Sequence, residues 1–201
     1  MLQYPSIKPW RDSPKGEHCI AFKKYDGSNL RWEYSPKKGW SKMGTRRQMF
    51  DSSTPLYSQS IELFNDTMAA AIVERVNDIH GRKVERITAF TEFFGPSSFA
   101  GSHDHDEAKE LRLFDVFVFK KGFIPPRQFI KAFEQYSWAA EVIYEGNMNA
   151  EFIADVRDGK YPVDEGVICK GADWMAKIKC IAYLDKLRSQ NPALWETEKH
   201  E

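Results

Sequence analysis

Cysteine is scarce in this chain: three in 201 residues, Cys19, Cys169 and Cys180. They are odd in number, far apart and contain no Cys-x-x-Cys pair, which excludes a disulfide framework and a cysteine zinc site of ordinary spacing. The reading that remains is buried free thiols in a reducing compartment. Long apolar runs are missing too. None approaches the ~20 residues that cross a bilayer, so no membrane partner is expected. The opening "MLQYPSIKPW" lacks the basic-then-apolar layout of a secretory leader. Repeats, low-complexity tracts and evident linkers are absent. Net charge is absent as well, with 29 basic residues against 29 acidic ones.

What is present suits one globular domain: 42% hydrophobic and 14% aromatic residues, enough for a substantial core. The charge balance is uneven along the chain. Residues 1–50 hold 11 basic and 4 acidic residues, and the remainder holds 18 and 25. A basic N-terminal quarter suits a phosphate-facing surface.

The pattern predicts an α+β fold of mostly antiparallel sheets with flanking helices. "EHCIAFKK" and "SNLRWEY" read as strands separated by the Asp26-Gly27 turn signal. "GWSKMGTRRQMF" reads as a glycine-punctuated segment ending in a short strand. Ile61, Phe64, Met68, Ile72, Val76 and Ile79 recur at three or four residues, which predicts one helix over 60–79 stopped by Gly81. "VERITAFTEFFG" and "ELRLFDVFVFKKG" read as strands. "PPRQFIKAFEQY", opening on proline, and "NAEFIADVRDG" read as helices. "EGVICKG" and "MAKIKC" read as short strands joined by a loop containing Asp173 and Trp174.

Lys24 stands at a predicted strand end, separated by one residue from Asp26-Gly27. Protonated lysine is a poor nucleophile, with a free pKa near ~10.4. Partial burial and nearby positive charge lower that value and free the amine to attack. Lys177 and Lys179 share one strand face by the period of two, where they would repel unless they share an anion, and a triphosphate is a fitting one. Glu92 near one strand end and Glu165 at another strand start supply carboxylates, one of them suited to Mg²⁺.

Five segments occur in order from residue 24 to residue 179: Lys24-Tyr25-Asp26-Gly27, Glu92-Phe93-Phe94-Gly95, Leu113-Phe114-Asp115-Val116, Glu165-Gly166-Val167-Ile168-Cys169-Lys170 and Lys177-Ile178-Lys179. Together they resemble the motifs of the covalent nucleotidyltransferases, the superfamily of ATP- and NAD-dependent polynucleotide ligases and messenger-RNA capping enzymes. "KYDGSN", with Asn29 five residues after the lysine, resembles the nick-sealing branch of phage-type RNA ligases. The resemblance implies a nucleotidyltransferase (ATP-grasp-like ligase) fold and an ATP-dependent polynucleotide ligase, RNA first.

The resemblance also implies roles. Lys24 would form a lysyl-AMP from ATP, and Asp26 and Asn29 would belong to the nucleotide site. Arg46 would contact phosphate, with Arg47 as the alternate. Glu92 would accept hydrogen bonds from ribose hydroxyls, and Phe114 would stack on adenine. Lys170 would meet a phosphate or a base edge. Lys177 and Lys179 would neutralise phosphates. Glu165 would position Mg²⁺ or Mn²⁺, mostly through water. AMP would pass to a 5′-phosphate, and a 3′-hydroxyl would displace it. A cytoplasmic, virus- or phage-encoded RNA-repair enzyme is implied.

"GSHDHDE", residues 101–107, offers His103, Asp104, His105 and Asp106 as metal ligands. It lacks a helical His-x-x-x-His spacing, and a solvated loop is the better reading. Residues 1–201 are expected to form a single adenylyltransferase domain, with a closing helix at about 180–190, a polar tail and no C-terminal OB domain. A naturally minimal ligase, a half-enzyme needing a separate nucleic-acid-binding subunit and a shortened chain remain open, as does oligomeric state. A minimal DNA ligase and a non-sealing nucleotide-binding module remain alternatives.

Overall fold

The computed structural model describes residues 1–81 and 83–199. In chain order the strands are β1 (Lys8–Pro9), β2 (His18–Lys24), β3 (Ser28–Ser35), β4 (Gly39–Thr45), β5 (Met49–Phe50), β6 (Ile87–Phe94), β7 (Glu110–Val118), β8 (Gly122–Phe123), β9 (Val142–Asn147), β10 (Gly166–Lys170) and β11 (Met175–Lys179). The α-helices are α1 (Pro55–Thr67), α2 (Ala69–His80), α3 (Pro126–Phe133), α4 (Ala150–Arg157), α5 (Ile181–Gln190) and α6 (Pro192–Glu198). The fold is α+β with antiparallel-rich sheets. Among the strand pairings of the described residues, β1 with β11 is parallel.

The chain divides into two compact units. One comprises Met1–Tyr4 and Gly27–Ala139 and carries a six-stranded sheet in the order β5-β4-β3-β6-β7-β8. Strand alternation sends Leu30 and Trp32 to one face. Trp32 stacks on Phe64 of α1 at 4.1 Å between ring centroids, and its Nε1 donates to Thr91 Oγ1 at 2.9 Å. Burying two such rings contributes on the order of 1.5–3 kcal/mol each. The periodicity of residues 60–79 is helical as predicted, but the helix begins earlier, on Pro55, and is interrupted at Met68 (φ −115°, ψ −36°). Met68 is itself buried.

The other unit comprises Pro5–Asp26 and the chain from Ala140 onward, with a five-stranded sheet ordered β1-β11-β10-β2-β9. Its α4 covers one sheet face. Phe152, Ile153 and Val156 pack with Cys19 and Ala21 of β2, Val167 and Cys169 of β10, and Ala176 and Ile178 of β11. The residues alternating with these in β2, β10 and β11 therefore share the opposite face.

Asp26-Gly27 does not close a hairpin. β2 pairs with β10 and β9, whereas β3 pairs with β4 and β6. Gly27 is required for a different reason. A Cβ there would lie 2.3 Å from the carbonyl oxygen of Phe93, so the glycine permits a close backbone approach to β6. Strand β9 had no sequence counterpart in the predicted elements. The stretch read as a polar tail forms α6.

Candidate active site

The face of the five-stranded sheet opposite α4 carries a row of cations. The ladders place Lys24 opposite Gly166, and Gly166 opposite Lys179. One step along, Phe22, Ile168 and Lys177 align, and one further, Ile20, Lys170 and Met175. The period of two thus brings Lys24, Lys170, Lys177 and Lys179 to one face, and sends Lys23 to the other.

Gly166 makes the row close-set. Its φ of 146° is a conformation L side chains rarely adopt, and a Cβ would meet the carbonyl oxygen of Ile178 at 2.0 Å. With no side chain between them, Lys24 and Lys179 both reach Glu165, the residue before β10. Lys24 Nζ donates to Glu165 Oε2 at 2.7 Å, and Lys179 Nζ stands 3.3 Å from Oε1. The Glu165 and Lys179 side chains are 4% and 3% exposed, while that of Lys24 is 24% exposed. The lysine at the strand end is the accessible member of a buried ionic group.

Lys179 has a second carboxylate partner, Glu198 at the end of α6, and lies 5.2 Å from the Tyr183 ring centroid. Sequence reasoning missed Glu198. It is 19 residues beyond Lys179, in a segment whose composition is simply polar. Lys170 is buried, with its Nζ 5.0 Å from the Phe22 ring centroid. Asp26 is half-buried just after β2.

The remaining sequence-predicted residues belong to the six-stranded sheet. Asn29 and Glu92 are directly paired across β3 and β6. Asn29 Oδ1 is buried without a hydrogen-bond partner, an acceptor with unused capacity beside a carboxylate. Phe114 sits where the β6–β7 register shifts. It is half-buried and meets Tyr4 edge-on at 5.0 Å. Tyr4 donates to Asp115 Oδ2 at 2.8 Å, and burial, with Asp115 adding to it, pushes its phenol well above the usual range. Arg46 and Arg47 lie in an exposed turn closed by Thr45 N–H donating to Gln48 O at 2.8 Å.

In the 101–107 loop, His103 is half-buried, with Ser28 Oγ 2.8 Å from Nε2 and Ser98 Oγ 3.2 Å from Nδ1. Among the described residues no three His, Cys, Asp or Glu side chains cluster to hold a metal. The three cysteines are buried and free. The Cys169 thiol is pushed well up by its hydrogen bond with Cys19 and by burial, and Cys180 is raised by burial and by the Asp164 and Glu165 carboxylates. Cys169 and Cys180 are thus packing thiols, whereas the hydrogen bond with Cys169 lowers the Cys19 thiol against its burial. Among the described residues no helix is long and apolar enough to cross a membrane.

No family model and no curated protein matches the sequence. Solved structures do. RNA ligase of Naegleria gruberi with PPi aligns at a TM-score of 0.66 and 15% identity. A mutant of that ligase with ATP and Mn aligns at 0.67 and 16%, and another with AMP and Mn at 0.66 and 15%. Each alignment covers 94% of this chain and 59% of the ligase chain. The fold is thus the nucleotidyltransferase-type fold of RNA ligases. The chain spans about three-fifths of the length of the ligases it matches, 59%.

Proposed function

We propose that this chain is the catalytic domain of an ATP-dependent RNA ligase, with Lys24 as the nucleophile. One observation carries the proposal: the buried Glu165 carboxylate bridging Lys24 and Lys179 on one sheet face. These three residues occupy the positions at which the resemblance puts the nucleophile, the metal carboxylate and the phosphate-binding lysine.

Lys24 Nζ attacks the α-phosphorus of ATP. A nitrogen–phosphorus bond forms, the bond from that phosphorus to the oxygen bridging the β-phosphate breaks, and pyrophosphate leaves. Glu165 Oε2, at hydrogen-bond distance from the ammonium, is positioned to take the proton whose loss frees the attacking lone pair, and a second proton leaves to solvent as the nitrogen–phosphorus bond forms. Lys179 and Lys177 offset the negative charge of the phosphates. AMP then passes to a 5′-phosphate. The 3′-oxygen of the adjoining end bonds to that phosphorus, and AMP leaves. We assign ribose recognition to Glu92 and Asn29, adenine stacking to Phe114, phosphate contacts to Lys170 and Arg46, and a nucleotide-site role to Asp26.

A divalent cation fits the donor set in one way. Both Glu165 oxygens are engaged by lysines, which suits an ion met through water and substrate phosphates rather than an all-protein cage. Glu165 would hold Mg²⁺ or Mn²⁺ through its waters. The ion supplies charge neutralisation on the triphosphate. Three buried free thiols support a reducing, cytoplasmic setting, and repair of broken RNA, as in phage-type enzymes, is the role such chemistry serves.

The test is sealing of matched RNA and DNA nicks bearing 5′-phosphate and 3′-hydroxyl ends, with ATP and Mg²⁺. Preferential sealing of RNA is expected. Sealing confined to DNA would establish the minimal DNA ligase reading instead, and no sealing without any protein–AMP adduct would overturn the enzyme reading.

A further inference from the structure

Away from the lysine row, the same unit carries a groove of about 440 Å³ between the turn at Trp10–Asp12 and helix α4. Met148 and Ile153, both buried, contribute to its apolar lining, and Trp10 forms a half-buried wall. Three cations line it, Arg11, Lys15 and Arg157, against one carboxylate, Asp158. The Arg11 guanidinium carbon is 4.8 Å from the Trp10 ring centroid, and that of Arg157 is 5.9 Å away. Arg11 and Lys15 also belong to the basic N-terminal quarter of the chain.

This grouping has a specific chemistry. An apolar-floored slot beside an indole accepts a flat, weakly polar ring. Cations around that slot accept phosphodiester oxygens. An aromatic flanked by basic residues is the arrangement by which proteins hold single strands, through base stacking and backbone neutralisation. Trp10 Nε1 has no hydrogen-bond partner. The ring is held by packing against the core and by the two guanidinium groups, with no hydrogen bond fixing the indole. The groove also adjoins Asn149 and Ala150, where α4 begins, so the positive end of the helix dipole adds to the attraction for phosphate.

We propose that this groove is a subsite for a single-stranded RNA segment. One base stacks on Trp10, and neighbouring phosphates meet Arg11, Lys15 and Arg157. The proposal rests on the RNA-joining reading of the chain, and its test separates the two.

The experiment measures binding of a short fluorescent single-stranded RNA as a function of salt, alongside formation of the protein–AMP adduct from ATP, for wild type, Trp10→Leu and Arg11→Glu/Lys15→Glu. Arg11 and Lys15 are exposed, so the double variant is compatible with folding. Trp10→Leu is expected to weaken RNA binding roughly 5- to 150-fold, the range for losing one stacked base. The double variant is expected to lower the slope of log affinity on log salt by about 1.4. Adduct formation is expected to stay at the wild-type level in both. RNA binding in both variants equal to wild type, or no RNA binding by wild type, overturns the subsite. Absence of the adduct in wild type overturns the ligase reading itself, whatever the groove binds.

Discussion

Lys24 Nζ stands 2.7 Å from Glu165 Oε2, and the opposite oxygen of that carboxylate is 3.3 Å from Lys179. One buried acid thus links the accessible lysine to the buried one. With Glu198 also on Lys179, both lysines are met by carboxylate charge. An incoming phosphate must alter that balance to reach either cation.

Glu165→Gln removes the bridging charge and leaves Lys179 buried with less compensation. Breaking one side of a buried pair costs about 3–5 kcal/mol. A lowered urea midpoint with unchanged slope is expected, together with loss of adduct formation. A wild-type midpoint would contradict the assignment of Glu165 as the linking group.

Glu198 pairs with Lys179, the cation proposed above to meet a phosphate. Glu198→Gln is expected to lower the apparent KM for ATP in adduct formation. A raised KM would mean that Glu198 assists nucleotide binding rather than competing with it.

Gly166→Ala would place a Cβ 2.0 Å from the Ile178 carbonyl oxygen at a φ of 146°. Backbone strain alone costs on the order of 1–3 kcal/mol, and separation of β10 from β11 pulls Lys24 and Lys179 out of line. Reduced thermal stability and loss of the adduct are expected together. A stable, fully active variant would show that the close approach is unnecessary.

The pH dependence of stability has two sources around the 101–107 loop. Burial, with Lys109 adding to it, depresses the His103 imidazole below its ordinary 6.5. The folded state then binds the proton less readily than the unfolded chain. Its stabilisation is present above 6.5 and is lost as pH falls through the folded-state value. Glu107, held at about 2 by hydrogen bonds from Lys109 and Ser97, acts lower, its contribution lost as pH falls from 4.5 toward about 2. His103→Asn should flatten the slope of unfolding free energy just below neutral and leave the acid slope in place. An unchanged near-neutral slope would remove His103 from this account.

Much of this was legible in local pattern. The period of two places Lys177 with Lys179, the strand end at Lys24 falls where the apolar run stops, and Glu92 lies two residues before the end of β6. Pairing partners were not legible. Asp26-Gly27 has the chemistry of a hairpin turn, yet β2 and β3 join different sheets, and Gly27 is demanded by a carbonyl of β6. Met68 fits the helical spacing perfectly well, so the break there carries no signal in the residue types. Glu198 reaches Lys179 only through the packing of α5 and α6, a contact no periodicity encodes. The partnerless Asn29 Oδ1 could be found only once β3 and β6 were in register.

The most direct test is the protein–AMP adduct. Wild-type protein is incubated with α-labelled ATP and Mg²⁺, and the label is traced to a peptide by mass spectrometry. Lys24→Ala is compared with Lys23→Ala, whose side chain lies on the other sheet face and 3.8 Å from Asp164. The account predicts an acid-labile, base-stable phosphoramidate on Lys24, lost in Lys24→Ala and retained in Lys23→Ala. An adduct that survives Lys24→Ala, or none in wild type with ATP, would contradict it.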